Sequence, residues 1–386
     1  MDILISGAGI AGLSLAFALQ SDGHAVTLVE QAPSLRDAGY MLDFFGPGYD
    51  VCEAWGLLPV LQDIHYPIAR LAFLDGRGRE KYSVAYPRVR RLFGGRHFNF
   101  MRGDLERLLY DRVGARVETR FATTIESIAD DAGGVEVTLS DGERRRFDLM
   151  VGADGVHSNV RELAFGAEER FARFLDHYTA AFIVDDPSGL AVPSDAFSLL
   201  TVPGCQVGVY PIRGGRLATF FLHKDRRRLG TLTTVAAAAE LRRAYQTLDW
   251  IVPELLARCD PARLYFDAVW QIVMPRWGSG RVTLVGDACQ CVSLLAGQGA
   301  SLAVAGAHTL ATELRGAGHD VASALERYER RMRPTVERAQ EAGRTMARWF
   351  APDGRIRLAV RDLVIRMASS SLVAPFLSRL LAVERW

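Results

Sequence analysis

Gly7, Gly9 and Gly12 stand at the spacing GxGxxG, with Ala8, Ile10 and Ala11 among them. At that spacing the first glycine allows a tight turn, the second lets the main chain approach a diphosphate, and the third lets a helix pack closely on a strand. A diphosphate beyond the turn would meet free N–H groups and the positive end of a helix dipole. A hexapeptide of this kind is weak evidence by itself, and Glu30 strengthens it. It lies 18 residues after Gly12 at the end of an apolar run, where a carboxylate can accept hydrogen bonds from both hydroxyls of an adenosine ribose. An acidic side chain there would repel a 2′-phosphate, which disfavours NADP as the ligand of this site.

Two later groups share this small-residue, acidic character. Asp154 and Gly155 follow one apolar run, Gly286 and Asp287 follow another, and Gly297, Gln298, Gly299 and Ala300 then open a stretch of small residues. Taken alone, an Asp-Gly pair is a turn and an aspartate before a helix is a cap. The sequence has no His, Cys, Asp or Glu cluster at metal-ligand spacing, no Gly-x-Ser-x-Gly elbow and no obvious acid–base pair. This pattern suits a protein whose cofactor carries the reaction while the chain supplies position, dryness and electrostatics.

The elements that must position these residues are legible in the apolar spacing. Residues 2–6 read as a short buried strand, 7–12 as a tight turn, 10–20 as a helix and 25–30 as a second strand, a β-α-β unit. Stretches 71–86 and 176–222 read as alternating strands punctuated by turns such as Asp75-Gly76 and Gly214-Gly215. Between them, 102–113 reads as a helix, and 135–139 and 147–151 read as strands around an Asp141-Gly142 turn. A buried strand at 281–285, a glycine-rich loop and a small-residue helix over 298–314 follow. The spacing is helical again from 321 to 350, and Pro352-Asp353-Gly354 separates that helix from a last helical region.

Composition sets the outer limits. The chain has 386 residues, 49% hydrophobic and 24% charged, with a formal charge of +1, so it folds into two or three domains and has no global field that recommends nucleic acid. All but two of the 46 basic residues are arginines, the exceptions being Lys81 and Lys224. Five cysteines without a CxxC pair suit a reducing cytoplasm, and Cys289 and Cys291 read as buried thiols in preference to a redox pair. The N-terminus lacks the basic start of a signal peptide, and no apolar run reaches the roughly 20 residues needed to span a membrane. The stretch 356–381 mixes arginines with Leu, Val, Met and Phe, and reads as a helix covering the body of the protein.

The segment 148–161, carrying Asp154-Gly155-Val156-His157-Ser158 and ending in Arg161, resembles the DG motif of the group A flavoprotein monooxygenases, which share the para-hydroxybenzoate hydroxylase fold. Residues 281–288 with Gly297-Gln298-Gly299 resemble their GD motif, and order, spacing and context match over most of the chain. The tetracycline-inactivating and polyketide-tailoring hydroxylases are the nearest branches by layout. The resemblance implies an α/β fold: a Rossmann-like FAD-binding domain from 1–70, 98–165 and 276–350, an antiparallel-sheet substrate domain from 71–97 and 166–275, and a C-terminal helical segment, 351–386.

The same resemblance implies residue roles. Gly7, Gly9, Ile10, Ala11, Gly12 and Glu30 would hold the ADP half of non-covalent FAD, with Arg102 and Arg36 near its diphosphate. Gly286 and Asp287 would hold the ribityl chain. Gly297, Gln298, Gly299 and Ala300 would turn helix N–H groups toward the flavin ring, and Asp154 and Gly155 would serve both FAD and a passing NADH or NADPH. It also implies a cycle in which NAD(P)H reduces FAD, O2 adds at flavin C4a, and the hydroperoxide hydroxylates an aromatic or polyketide-like small molecule. Phe182, Tyr210, Arg213, Phe220, Phe221 and Trp270 are the candidate substrate contacts from the sheet-rich region. Gln290, Leu294 and Ser301 depart from the His, Pro and Asn of many relatives. Two other readings stay open: a flavin halogenase, which 270–275 partly resembles but for which only Lys81 offers even a remote lysine, and a non-catalytic escort protein on the same fold.

Overall fold

The computed structural model describes residues 1–35, 40–131, 133–186, 189–190, 192–316 and 320–368. Arg36 and residues 369–381 of the last predicted helical stretch lie outside them. Among the described residues no helix is long and apolar enough to cross a membrane.

Strand Asp2–Ser6 is the hub of a six-stranded sheet. It pairs in parallel with Ala25–Val29 on one side and Leu149–Gly152 on the other; Val282–Leu284 and Gly278–Ser279 continue one edge and Glu118–Arg120 closes the other. Ile3, Leu4 and Ile5 are wholly buried because both faces of the sheet are covered, which is why the strand reads as an unbroken apolar run. One cover is the helix Ile10–Ser21, apolar nearly all round, with nine of its 12 residues buried. Helix Gly299–Arg315 packs against it, and its Ala and Gly positions allow the two axes to come close.

The second large sheet runs in the order Tyr265–Ile272, Ala172–Ala181, Arg216–Lys224, Cys205–Ile212, Ala196–Val202, Arg70–Leu74, Glu80–Ala85, with Ile183–Asp185 on the edge of Arg216–Lys224. All its pairings are antiparallel except Arg70–Leu74 with Ala196–Val202, which are parallel because distant stretches of chain meet there. Helices Thr234–Tyr245 and Val252–Ala257 cover one face around a separate core containing Phe182, Phe221 and Tyr245. A two-stranded ribbon, Met41–Phe45 with His97–Met101, lies between the two sheets in sequence. The long helix Val321–Phe350 and the helix Arg355–Ala368 complete the described chain.

The spacing located Arg102–Val113 and Val321–Phe350 at both ends. It misread two places. Residues 147–151 are not one strand: Arg144–Phe147 belongs to a three-stranded hairpin sheet and Leu149–Gly152 to the parallel sheet. Asp148 makes the break, since its carboxylate accepts a hydrogen bond from the Asp2 backbone N–H at 2.8 Å. Tyr86 starts a helix, Tyr86–Leu92, with Pro87 in its first turn, where the missing N–H costs nothing.

Candidate active site

Gly7 adopts φ +108° and lies so near the neighbouring strand end that a Cβ would stand 2.5 Å from the Ala153 carbonyl oxygen. Its N–H donates to the Val29 carbonyl at 2.7 Å. The turn is thus clamped between the second strand and the strand that carries Asp154. Glu30 clamps it from outside: Oε2 accepts from the Ala8 N–H and Oε1 from the Ala32 N–H, both at 2.9 Å. Each carboxylate oxygen retains a lone pair, so these bonds orient Glu30 without exhausting it as an acceptor for ribose hydroxyls. In front of Gly9 the space is open, since a Cβ there would meet nothing closer than Glu106 Oε1 at 3.7 Å.

This open face leads into a cavity of about 830 Å³. Gly9, Ile10, Ala11, Arg102, Gly155, Asp287, Gly297, Gly299 and Ala300 line one part of it, bringing residues from all three motif regions to one wall. Arg102 opens its helix, and its Nε donates to Glu106 Oε1 at 3.0 Å. Burial works against the guanidinium charge, but Glu106, together with Tyr40 and Tyr265, more than offsets it, and the pKa is raised. The Asp287 side chain is accessible, yet it lies deep in the protein, so what it faces is the cavity. Burial raises its pKa, with Arg102 opposing. Gly297 has φ +65°, which turns the chain into helix Gly299–Arg315 and points that helix's N-terminus at the cavity. Gln298 is the residue before the helix and does not line the cavity.

A fixed cation, an unpaired carboxylate, a helix N-terminus and a glycine face that tolerates close approach together suit the diphosphate, polyol and electron-poor ring of FAD. The donor set fits the group.

The DG segment has a second function in the fold. Asp154 accepts from Ser158 Oγ and, through Oδ2, from the Val160 N–H at 3.0 Å, so both oxygens hold the loop, and the side chain is not on the cavity wall. Gly155, at φ +81°, is the member of the pair that reaches the cavity. Arg161, wholly buried, donates to the carbonyls of Ala288 at 2.9 Å and Val156 at 2.7 Å, and to Glu168 at 2.7 Å. One guanidinium thus ties the DG loop to the GD loop.

His157 bridges Glu168 and Asp267 at 3.0 and 3.2 Å, and hydrogen bonds to Asp267 and then Glu168 push its pKa up to about 10. A histidine whose pKa is raised on folding stabilises fully below its unfolded value of 6.5 and loses that contribution as pH climbs through 10. Half of the side chain is exposed, so screening reduces the effect. The melting temperature should therefore fall between pH 7 and pH 10 more steeply in the unaltered protein than in His157→Gln at low salt. Parallel pH–Tm curves for the two would remove the bridge from any role in stability.

The rest of the cavity wall is largely apolar. Tyr210, Phe220 and Trp270 line it. Phe182 and Phe221 do not: they stack on each other, centroids 5.4 Å apart, in the core beneath the helical cover, on the far face of the sheet. Arg213 is also displaced from the substrate role, since its guanidinium donates to the carbonyls of Asp63, Ile64 and His65 and lies over the Tyr66 ring. Sequence reasoning missed Tyr40, Asp43, Asn99 and Tyr265, which all line the cavity. The signal for Asp43 was present in Met41–Phe45, whose strand alternation puts Met41, Asp43 and Phe45 on one face.

The departures in the GD region have local explanations. Gln290 donates to the Tyr328 hydroxyl at 2.6 Å, Ser301 Oγ accepts the Gly48 N–H at 2.8 Å, and Leu294 lines the cavity. The five cysteines are free, and burial raises the thiol pKa values of Cys289 and Cys291. Among the described residues His223, Asp225 and Glu240 approach metal-ligand geometry, but Arg227 and Arg243 already pair with both carboxylates. Lys81 pairs with Asp362 and is not on the cavity wall.

A family profile described as FAD binding domain matches residues 1–342, and a flavin-dependent monooxygenase of Legionella longbeachae is 30% identical over 349 residues, 88% of this chain and 87% of its own. The chain belongs to the FAD-dependent monooxygenase family. An uncharacterized member from Mycobacterium tuberculosis is 37% identical over 344 residues, 88% of this chain and 91% of its own. The crystal structure of the tetracycline destructase Tet(51) superposes with a TM-score of 0.84 at 26% identity, covering 100% of this chain and 99% of that one.

Proposed function

We propose that this monooxygenase takes electrons from NADH or NADPH and uses O2 to hydroxylate an aromatic or polyketide-like small molecule in the cavity beside non-covalently held FAD. The observation that carries the reading is that Gly9, Arg102, Gly155, Asp287 and the Gly299 helix start share one wall of a cavity whose remainder is largely apolar. Bound FAD supplies the electron transfer and oxygen chemistry. The chain's part is to hold and orient. Arg102 would face the diphosphate, Asp287 would accept from the ribityl hydroxyls, Glu30 would accept from the ribose, and the helix N-terminus would stabilise negative charge on the ring. The apolar wall, including Phe220 and Trp270, excludes water where oxygen is transferred. In this reading residues 1–70, 98–165 and 276–350 serve the cofactor, 71–97 and 166–275 serve the substrate, and 351–386 forms a helical cover. Five free cysteines are consistent with work in a reducing cytoplasm.

The test is isotopic. Purified protein should be yellow and release intact FAD on acid denaturation. A true substrate should accelerate NAD(P)H oxidation, gain one oxygen atom from labelled O2, and raise the product-to-peroxide ratio. A colourless protein would favour the escort reading. Flavin reduction equally fast with and without every ligand that gives product would remove substrate control from the proposal.

A further inference from the structure

The ribbon Met41–Phe45 with His97–Met101 pairs Asp43 with Asn99 and Phe45 with His97, so these four side chains share one face. Asp43 Oδ1 is saturated: it accepts from His97 Nε2 at 3.0 Å, the Asn99 amide at 2.7 Å and the Tyr86 hydroxyl at 3.0 Å. Oδ2 has no protein donor among the described residues, and the side chain, 54% accessible, faces the cavity. Burial opposes the charge, but the hydrogen bond and charge of His97, with Tyr86 and Asn99, outweigh it and hold the carboxyl below its usual range. His97 is 1% exposed, and its Nδ1 has no partner among the described residues.

Aromatic faces surround this carboxylate. Phe45 and Phe93 stack at 4.2 Å, both stack on His97, and Phe73 and Tyr86 complete the wall. A carboxylate oxygen that faces an otherwise largely apolar cavity favours a cation as its partner, and aromatic faces are themselves attractive to ammonium groups. We propose that this end of the cavity is a subsite for the protonated amine of an aromatic substrate, with Asp43 Oδ2 as the anionic contact and Phe45, Phe93 and Tyr86 as the aromatic cage. The inference rests on the reading of the cavity as the place where a small molecule meets the flavin, and it narrows the substrate class to cationic aromatic amines.

Two phenols of matched shape separate the charge from the ring: para-(dimethylaminoethyl)phenol, cationic at neutral pH, and para-isopentylphenol, its neutral counterpart. Binding to the FAD-loaded protein would be followed by quenching of tryptophan fluorescence, since Trp270 and Trp349 line the cavity, and by perturbation of the flavin spectrum. The cationic phenol should bind at least about tenfold more tightly. Asp43→Asn should remove most of that preference while leaving the neutral phenol's affinity within about twofold. Phe93→Leu, which leaves the Asp43 network in place, should reduce the preference severalfold and shows the cage effect if Asp43→Asn fails to fold. Equal affinity of the two phenols for the unaltered protein, or a full preference surviving in Asp43→Asn, would overturn the subsite. Neither readout needs turnover, so a failure of oxygen transfer and a failure of amine recognition remain distinguishable.

Discussion

Alanine at Gly12 should leave a protein that neither melts at its normal temperature nor holds FAD. The added Cβ would stand 1.9 Å from the Gly7 carbonyl oxygen and 3.3 Å from Ile5 Cγ2. Neither neighbour can move away: Ile5 is central in the parallel sheet, and Gly7 is held by Val29 and pressed against Ala153. Overpacking typically costs ~1–3 kcal/mol, and a clash with pinned backbone belongs at or beyond the upper end. Gly9→Ala is the control. Its Cβ meets no protein atom within 3.7 Å, so the apoprotein should melt as before while FAD affinity falls, because the methyl takes the space in front of the turn. Thermal melts of the apoproteins with FAD titrations of each would check both, and a Gly12→Ala protein with unchanged Tm and FAD affinity would show that the loop is not packed as described.

Asp287→Ala and Asp154→Ala should fail in opposite ways. Asp287 faces the cavity, and losing a charge-assisted hydrogen bond costs ~1.5–3 kcal/mol, which lowers FAD affinity about ten- to a hundredfold with little change in the Tm of the apoprotein. Asp154 is spent on Ser158 and the Val160 N–H, in the manner of a helix cap, so its loss should lower the apoprotein Tm, at a cost of ~0.5–2 kcal/mol. FAD affinity should fall less, through a loosened Gly155. Differential scanning calorimetry and equilibrium dialysis separate the two quantities. Weaker FAD binding in Asp154→Ala than in Asp287→Ala would exchange the two roles.

These variants fall where local pattern and three-dimensional context part company. The glycine turn and Glu30 were legible in the sequence, because a diphosphate-binding turn needs particular residue types at fixed spacing and its strand and helix are short-range structures, whereas Arg102 and the paired acidic loops were picked out through the family resemblance. Helix Arg102–Val113 and helix Val321–Phe350 were equally plain, since amphipathic spacing is written within each element. What a side chain faces across a sheet is not local. Phe220 and Phe221 are neighbours, yet one lines the cavity and the other enters the opposite core, and only pairing register and the helices laid over one face decide between them. Arg213 is occupied by three carbonyls from the 63–65 stretch, a partnership about 150 residues distant in sequence. Asp43, Tyr86, His97 and Asn99 become one network because a ribbon joins strands more than 50 residues apart and a helix start packs over it. The sequence by itself determined the cofactor's binding chemistry, which depends on short motifs. Tertiary structure alone decided the apolar cavity wall, because that wall is assembled from side chains whose direction is set by long-range packing.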